Sequence, residues 1–258
     1  ETIHGQRKHS RTISMNSGPT IGIVLGKKTH DISYSTRRRC VDEFFFRNIS
    51  KFQLGSKILD MGGKRERKRG VFDVSKYELK VEYANSDKTV APDYLCDIAD
   101  IPVLNDFYDG IICAETLEHV KDPEIVLKEA YRILKPHGIL LISVPFLFQI
   151  HADPYDYGRY TDYYWKNALN ETGFVIDEIE TQGLYFSVLA NMLKLFAYDM
   201  YKDGKPNNRL IRFLIRKIVC WLEEKAIRLD KKPSVSNHPF FRRYTTGYGI
   251  VARKYNNG

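Results

Sequence analysis

No run of roughly 18 uncharged apolar residues occurs in this 258-residue chain, so no segment has the pattern of a membrane-spanning helix. Leu184 to Tyr198 comes nearest, and Asn191 and Lys194 interrupt it. The first twenty residues carry His4, Arg7, Lys8, His9 and Arg11 but lack the apolar block of a secretory signal. Cysteine is scarce: Cys40, Cys96, Cys113 and Cys220 are widely spaced and form no C-x-x-C pair. That argues against a disulfide framework or a zinc knuckle and fits a reducing compartment. No internal repeat is evident. Together these absences lead to the expectation of a cytoplasmic globular protein.

What is present points to one large core. Apolar residues make up 43% of the chain, an ordinary share for a globular domain. Residues 1–34 read as a flexible segment and 35–258 as one domain. The formal charge is +8, and part of the excess sits in Arg37-Arg38-Arg39, Lys64 to Arg69, and Lys202 to Lys232. A basic balance favours anionic partners, nucleic acid and phosphorylated substrates among them.

Strand and helix patterns alternate along the domain. Ser35 to Ser50 reads as a helix that buries Val41, Phe44, Phe45 and Ile49. Lys57 to Asp60, Leu79 to Asn85, Asp93 to Asp97 and Tyr108 to Ala114 read as strands, the last apolar enough to be buried on both faces. A helix follows from Asp122 to Leu134, opened by a cap and Pro123 and carrying Ile125, Val126, Ala130, Ile133 and Leu134 as its stripe. Lys135-Pro136-His137-Gly138 ends it. Ile139 to Val144 is the next strand, Asp162 to Thr172 a helix closed by Gly173, and Phe174 to Ile179 and Tyr248 to Ala252 two further strands. Residues 184–245 read as a helical insertion, with Ile211, Leu214, Ile215, Ile218 and Leu222 on one face and Arg212 and Arg216 on the other. The alternation predicts an α/β fold built on a mostly parallel sheet with helices on both faces.

Four blocks sharpen that prediction. They are Ile58-Leu59-Asp60-Met61-Gly62-Gly63; Cys96-Asp97-Ile98-Ala99-Asp100-Ile101-Pro102; Tyr108 through Val120, which includes Ala114-Glu115-Thr116-Leu117-Glu118-His119; and Arg132-Ile133-Leu134-Lys135-Pro136-His137-Gly138. Taken in order, they resemble the class I S-adenosylmethionine-dependent methyltransferases. The resemblance covers roughly residues 50–181 plus the terminal strand. It implies a Rossmann-like, seven-stranded sheet and S-adenosyl-L-methionine as cofactor. It places Asp60, Gly62 and Gly63 at the turn under the methionine portion. It puts Asp87 near the ribose hydroxyls, with Glu82 and Asn85 as close competitors. Asp97 and Ile98 fall beside the adenine, and Ala114 and Glu115 on the floor shared with the substrate. Lys64 departs from the pattern, because the family usually has another glycine there. The loop it opens is read as a cofactor contact, a phosphate contact, or a sign of weakened cofactor binding.

The segment Pro145 to Thr161 begins where a strand ends, on the side where such sheets bind ligands. It gathers His151, Asp153, Tyr155, Asp156, Tyr157, Arg159 and Tyr160. It resembles a block of methyltransferases encoded with bacterial capsule and lipopolysaccharide pathways. That resemblance implies O-methylation of a sugar, a nucleotide sugar or a phosphate-bearing glycan precursor. Asp153, Tyr155, Asp156, Tyr157, Arg159 and Tyr160 are the expected substrate contacts. His151 is the first candidate for general base, because imidazole titrates near neutrality, and His119 is the second. No metal is expected, since His151, Asp153 and Asp156 match no metal-site spacing.

Two other readings stay open. A nucleic-acid methyltransferase suits the charge, but Ala114-Glu115-Thr116-Leu117 stands where amino-base enzymes carry Asp/Asn-Pro-Pro-aromatic, and nucleic acid is disfavoured as a partner. A catalytically inactive scaffold fits the Lys64 departure. The helical insertion is read as a lid, a homodimer contact or a peripheral membrane contact.

Overall fold

A computed structural model describes residues 31–66 and 69–255. The flexible segment expected at the N-terminus lies, over residues 1–30, outside the described residues. So do Arg67 and Lys68 of the basic loop.

Seven strands form one sheet in the order β3-β2-β1-β4-β5-β7-β6. They are β1 Lys57–Met61, β2 Lys80–Asn85, β3 Tyr94–Leu95, β4 Tyr108–Ala114, β5 Leu134–Pro145, β6 Phe174–Thr181 and β7 Gly247–Lys254. Pairing is parallel from β3 through β5, and β7 runs antiparallel to both of its neighbours. The sheet is therefore mixed at one edge.

Side chains alternate across a strand, so a buried strand feeds two cores. Leu59, Met61, Ile111, Cys113, Leu140 and Ile142 face one side. There α2 (Pro123–Ile133) and α3 (Asp162–Thr172) contribute Val126, Leu127, Trp165 and Leu169. Ile58, Ile112, Leu141 and Val251 face the other side and meet Val41, Phe44, Phe45 and Ile49 from α1 (Thr36–Asn48) and the turn after it. Helix ends follow local chemistry. Ser35, Asp122 and Thr161 cap α1, α2 and α3 through side-chain acceptors. Gly173, at φ +100°, closes α3.

Three expectations need correction. The segment read as a helix stop, Lys135 to Gly138, lies inside β5. Pro136 cannot continue the helix, and the chain enters the sheet at once, with Leu134 opposite Tyr108. The third strand shrinks to two residues because Asp93 spends its carboxylate on the Tyr83 amide, 2.8 Å away, and on Arg65. Ile125 leaves the apolar stripe and sits exposed on the rim of a cavity.

Between β6 and β7 lie α4 (Tyr185–Lys202), α5 (Arg209–Asp230) and a short α6 (Pro233–Ser236). The buried face of α5 is Val219, Cys220, Glu223, Ala226, Ile227 and Asp230. The apolar stripe is turned outward: Ile211, Leu214 and Ile218 are exposed. Arg212 instead faces α4, stacked 4.8 Å from the Tyr201 ring and bonded to its carbonyl at 3.2 Å. The inner seam is fixed by a buried ion pair, Lys194 Nζ to Glu223 Oε2 at 2.5 Å, each side chain 1% exposed. Thr36 of α1 donates to the other Glu223 oxygen at 2.8 Å.

Removing one member of a buried pair strands the other charge, at a cost of about 3–5 kcal/mol, whereas a joint apolar replacement is close to neutral. Lys194→Met is expected to destabilise the chain by about that amount in urea unfolding, and Lys194→Met with Glu223→Leu to recover most of it. Equal stability of the single variant and the parent would refute the assignment of this pair as the seam.

Candidate functional site

The carboxyl ends of β1, β2 and β4 open onto a crevice with two lobes. One, of about 310 Å³, is lined by Asp60, Gly62, Gly63, Lys64, Arg38, Asn85, Asp87, Ala114, Glu115 and His119, among others. The second, of about 610 Å³, is lined by Gly62, Asn85, Asp97, Ile98, Glu115, Thr116, His119, Ile125 and Tyr157, among others. Gly62, Asn85, Glu115 and His119 belong to both, so the lobes are contiguous. Volumes of this order suit small-molecule ligands.

The turn after β1 requires its glycines. Gly62 sits at φ +80°, and a Cβ there would lie 2.3 Å from the Thr116 methyl group. A Cβ on Gly63 would lie 2.1 Å from the Asp60 carboxyl. Asn85 braces the turn, donating through Nδ2 to the Gly62 and Gly63 carbonyls at 2.9 and 3.0 Å. Glu82 is committed elsewhere, accepting from the Tyr108 and Tyr94 hydroxyls at 2.6 and 3.1 Å. Of the three acidic or amide candidates after β2, only Asp87 brings a carboxylate to the crevice, while also capping Thr89 at 2.8 Å. Asp97 caps the turn at Ala99 (2.9 Å), and Ile98 is buried beside it.

The basic loop divides. Lys64 and Arg69 line the smaller lobe together with Arg38. Arg65 turns away to Asp93 and the Tyr83 ring. Asp42 holds the far end of the loop, accepting from the Val71 and Phe72 amides at 2.8 and 3.2 Å.

Glu115 is held at φ +52°. Its carboxylate meets Arg37, 2.5 Å from Nη2 and 3.1 Å from Nε. Burial acts to raise this carboxyl, but the Arg37 and Arg38 charges outweigh it and hold it below the usual range. Arg37, only 2% exposed, also donates to Ser143 at 3.0 Å and to Gln182. Nothing in the Arg37-Arg38-Arg39 run distinguishes this residue, and sequence reasoning missed it.

Three residues later Glu118 has no such partner. It is 2% exposed, and neither oxygen accepts a hydrogen bond from another residue. Burial, then the nearby Glu115 charge, push its carboxyl well above the usual range. Facing it are His119 Nε2 at 3.6 Å and His151 Nε2 at 3.8 Å. The two imidazoles make an edge contact, centroids 4.8 Å apart. Burial, then the neighbouring His119, lower the His151 pKa. His151 sits behind His119, and only His119 lines the lobes described above.

The segment after β5 wraps this pair. Asp156 accepts from the His151 amide at 2.8 Å and from both Arg159 terminal nitrogens at 2.5 and 2.8 Å. The Arg159 hydrogen bonds, chiefly, lower the Asp156 pKa to about 2. This pair therefore staples the loop. Tyr157 reaches the larger lobe. Asp153 and Tyr155 are exposed, and Tyr160 stacks on Tyr164 at 4.2 Å within an aromatic cluster that includes Trp165. Sequence reasoning gave Glu118 no role beyond its place in the block from Tyr108 to Val120.

The family model described as a methyltransferase domain matches residues 66–142. A ubiquinone biosynthesis O-methyltransferase of Chromobacterium violaceum is 32% identical over 102 residues, an alignment spanning 34% of this chain. It covers 44% of that protein, so this chain spans less than half of its curated relative. Among solved structures, the [4+2]-cyclase SpnF superposes with a TM-score of 0.52 at 16% identity, covering 84% of this chain and 80% of that one. The chain has the class I methyltransferase fold. A phosphoethanolamine N-methyltransferase of Haemonchus contortus, solved with S-adenosyl-L-methionine, has the same architecture: TM-score 0.50, 14% identity, 90% of this chain and 60% of that one. At these identities the structural likeness speaks for architecture alone.

The crest of this methyltransferase fold depends on Arg37. Arg37→Met is expected to lower stability by about 3–5 kcal/mol, because it leaves Glu115 buried and unpaired. Arg37→Lys should rescue little, since an ammonium cannot present the planar fork. Urea unfolding measures both, and a loss below about 1 kcal/mol in Arg37→Met would show that Glu115 does not need this partner.

Proposed function

We propose that this chain transfers a methyl group from S-adenosyl-L-methionine to an oxygen of a small acceptor, and that the acceptor is a sugar, a nucleotide sugar or a phosphate-bearing glycan precursor. The observation that carries the reading is the glycine turn at the head of the two-lobed crevice. At Gly62 and Gly63 the packing of Thr116 and Asp60 admits only glycine, both glycines line the crevice, and acidic groups flank them on both sides.

When bound, S-adenosyl-L-methionine supplies an electrophilic methyl group on a sulfonium, already a good leaving group. The residues would then divide the binding. Asp60, Gly62 and Gly63 would hold the methionine portion, with Lys64 or Arg38 as counter-charge for its carboxylate. Asp87 would take the ribose hydroxyls, accepting two hydrogen bonds at once. Asp97, Ile98, Ile125 and Val126 would enclose the adenine. Ala114 and Glu115 complete the floor, Glu115 chiefly through its backbone because Arg37 holds its side chain.

Chemistry in such a site is mostly alignment, plus removal of the proton from a hydroxyl acceptor. His119 and His151 are the groups placed to receive it. His119 stands at the crevice wall, and His151 and Glu118 stand behind it as a relay. The acceptor side is bounded by Tyr157, whose face also carries Lys121 at 5.9 Å, and by the cations Arg38, Lys64 and Arg69. Aromatic faces and cations are suitable tools for a sugar and its phosphate.

Calorimetry with S-adenosylhomocysteine should give saturable heat, and Asp87→Ala should weaken it by roughly tenfold or more, as expected for lost hydrogen bonds to a charged group. His119→Ala should cut turnover by about a hundredfold or more while leaving that affinity nearly unchanged. Turnover is to be followed with activated sugars and phosphorylated glycans as acceptors, with phenolic acceptors as the contrast. No heat at millimolar ligand would sink the enzymatic reading and leave a scaffold of the same fold. Product with phenolic acceptors alone would keep the reaction and overturn the glycan assignment.

A further inference from the structure

Glu118, His119 and His151 are less settled by this chemistry than any other group at the crest. Their ligand-type atoms all lie within 4.8 Å of one another. Glu118 brings a buried carboxylate that accepts no hydrogen bond from another residue. The imidazoles do not supply the missing donor. His119 Nδ1 is 2.6 Å from the Tyr155 carbonyl. A carbonyl only accepts, so the ring proton sits on Nδ1 and Nε2 presents a lone pair.

The same holds for His151. Its Nδ1 faces the Gln149 carbonyl at 3.3 Å and Asp156 Oδ2 at 3.4 Å, both acceptors. Arg159 Nη2 is also near, at 3.4 Å. Its two protons, however, already go to Asp156 at 2.8 Å and to the Gln149 carbonyl at 3.1 Å. The Nδ1 proton of His151 therefore points to the acceptors, and its Nε2 lone pair points at Glu118. Apart from a proton that Glu118 itself can carry, since burial pushes its carboxyl up to about 8, three acceptors converge on one half-enclosed point.

We propose that Glu118, His119 and His151 form a binding site for one divalent transition-metal ion, held by two imidazole nitrogens and one carboxylate, with its open positions toward the crevice. Three things can relieve such a convergence: a shared proton, a bridging water or a metal ion. The separations disfavour a directly shared proton, and a metal titration separates the other two. Glu118 Oε1 stands 3.6 Å from His119 Nε2 and 3.8 Å from His151 Nε2, beyond the range of a good hydrogen bond. Ligands about 2.1 Å from a tetrahedral ion lie about 3.4 Å apart; the two Glu118 separations are already close to that, and the widest span, up to 4.8 Å, would have to contract on binding. Metal-bound histidines also characteristically donate their second ring proton to a carbonyl or carboxylate, and Tyr155, Gln149 and Asp156 occupy those places. Imidazole with one carboxylate suits zinc, manganese or iron(II) better than magnesium. Among the described residues this is the one group that meets such a ligand geometry.

The binding site stands independently of the proposed reaction; its role in catalysis rests on that reading. An ion here would face the lobe lined by Glu115, Thr116, His119 and Tyr157. It would lower the pKa of an acceptor hydroxyl and orient its oxygen. The hydroxyl proton leaves to water, the new carbon–oxygen bond forms, and the sulfur–methyl bond breaks with its electrons returning to sulfur. His119 is then a ligand, and the ion replaces it as the means of removing the proton.

The test uses the full chain, stripped with chelator and titrated calorimetrically with Zn²⁺, Mn²⁺ and Mg²⁺. Co²⁺ absorbance serves as a signature of nitrogen and oxygen ligation. One equivalent of Zn²⁺ or Mn²⁺ should bind more tightly than Mg²⁺. Glu118→Gln and His151→Ala should each weaken it by at least about a hundredfold, more than outer partners of metal ligands cost. Heat with S-adenosylhomocysteine, retained in both variants, shows that they are folded and keeps the two readings separable. Failure of the parent to bind any of these ions at millimolar concentration overturns the proposal, as does binding that neither substitution weakens. Absence of the nucleoside heat alone counts against the methyltransferase reading and leaves the ion result to stand on its own.

Discussion

A single guanidinium holds the crest of this sheet together. Arg37 leaves α1, crosses beneath the carboxyl ends of the strands, and bonds Glu115 at the end of β4, Ser143 in β5 and Gln182 after β6. Its backbone amide adds Asn191 of α4 at 3.1 Å. Burying an arginine is costly unless its donors are used, and this one spends them on three different strands or strand exits. The geometry that follows is narrow. Glu115 is kept at a left-handed φ, and that places Thr116 against Gly62, where only a glycine fits. The helical pair α4–α5 is tied to the same point, because Thr36, next to Arg37, donates to Glu223 of the buried Lys194 pair. The crevice and the insertion thus share one fixed origin.

Much of the fold was legible because it rests on local rules. The caps at Ser35, Asp122 and Thr161 and the stop at Gly173 are chemistry within a few residues. The apolar continuity of Tyr108 to Ala114 follows from burial on both faces. What was not legible rests on long-range pairing. In a run of three arginines the sequence does not mark which one turns inward. The stripe on α5 is the clearest case. Periodicity identifies two faces but not which one a neighbour will cover, and here the covered face is the one with Glu223 and Asp230, whose partners lie on α1 and α4. The candidate site was half legible. Gly62, Asp97 and His119 follow from their place after strands. The meeting of His119 with His151 depends on β4 and β5 ending side by side, which no motif states.

Among the described residues, part of the positive charge is gathered at two cavities. Arg38, Lys64 and Arg69 border the smaller lobe of the crevice. Arg209, Arg212 and Arg216 line a separate cavity of about 570 Å³ at the foot of the helical pair. Other cations are consumed: Arg39 by Glu43 and Glu224, Arg65 by Asp93, Arg159 by Asp156. A surface that reads a nucleic-acid backbone needs a continuous basic track. Cations collected at two cavities are better suited to discrete anions.

Glu115 and Glu118 stand three residues apart and fare in opposite ways. Glu118 is buried and the Glu115 side chain is 10% exposed, and both come from the same loop after β4. One is neutralised by a fork of arginine donors, and its carboxyl is held low. The other lies against two imidazole lone pairs, and its carboxyl is pushed high. Two neighbouring acids driven apart by their surroundings mark a division of labour. Glu115 is consumed in structure, since its charge is fully matched and its side chain points into the protein. Glu118 is left without a partner among the described residues, and a buried carboxyl group that makes no hydrogen bond costs free energy that packing alone does not explain. Replacing it with a leucine of similar volume would be simpler for a core whose only task was stability. The protein instead surrounds it with histidines whose outer nitrogens are already occupied by carbonyls and Asp156. That arrangement makes sense for a group kept ready to meet a positive charge arriving from the crevice.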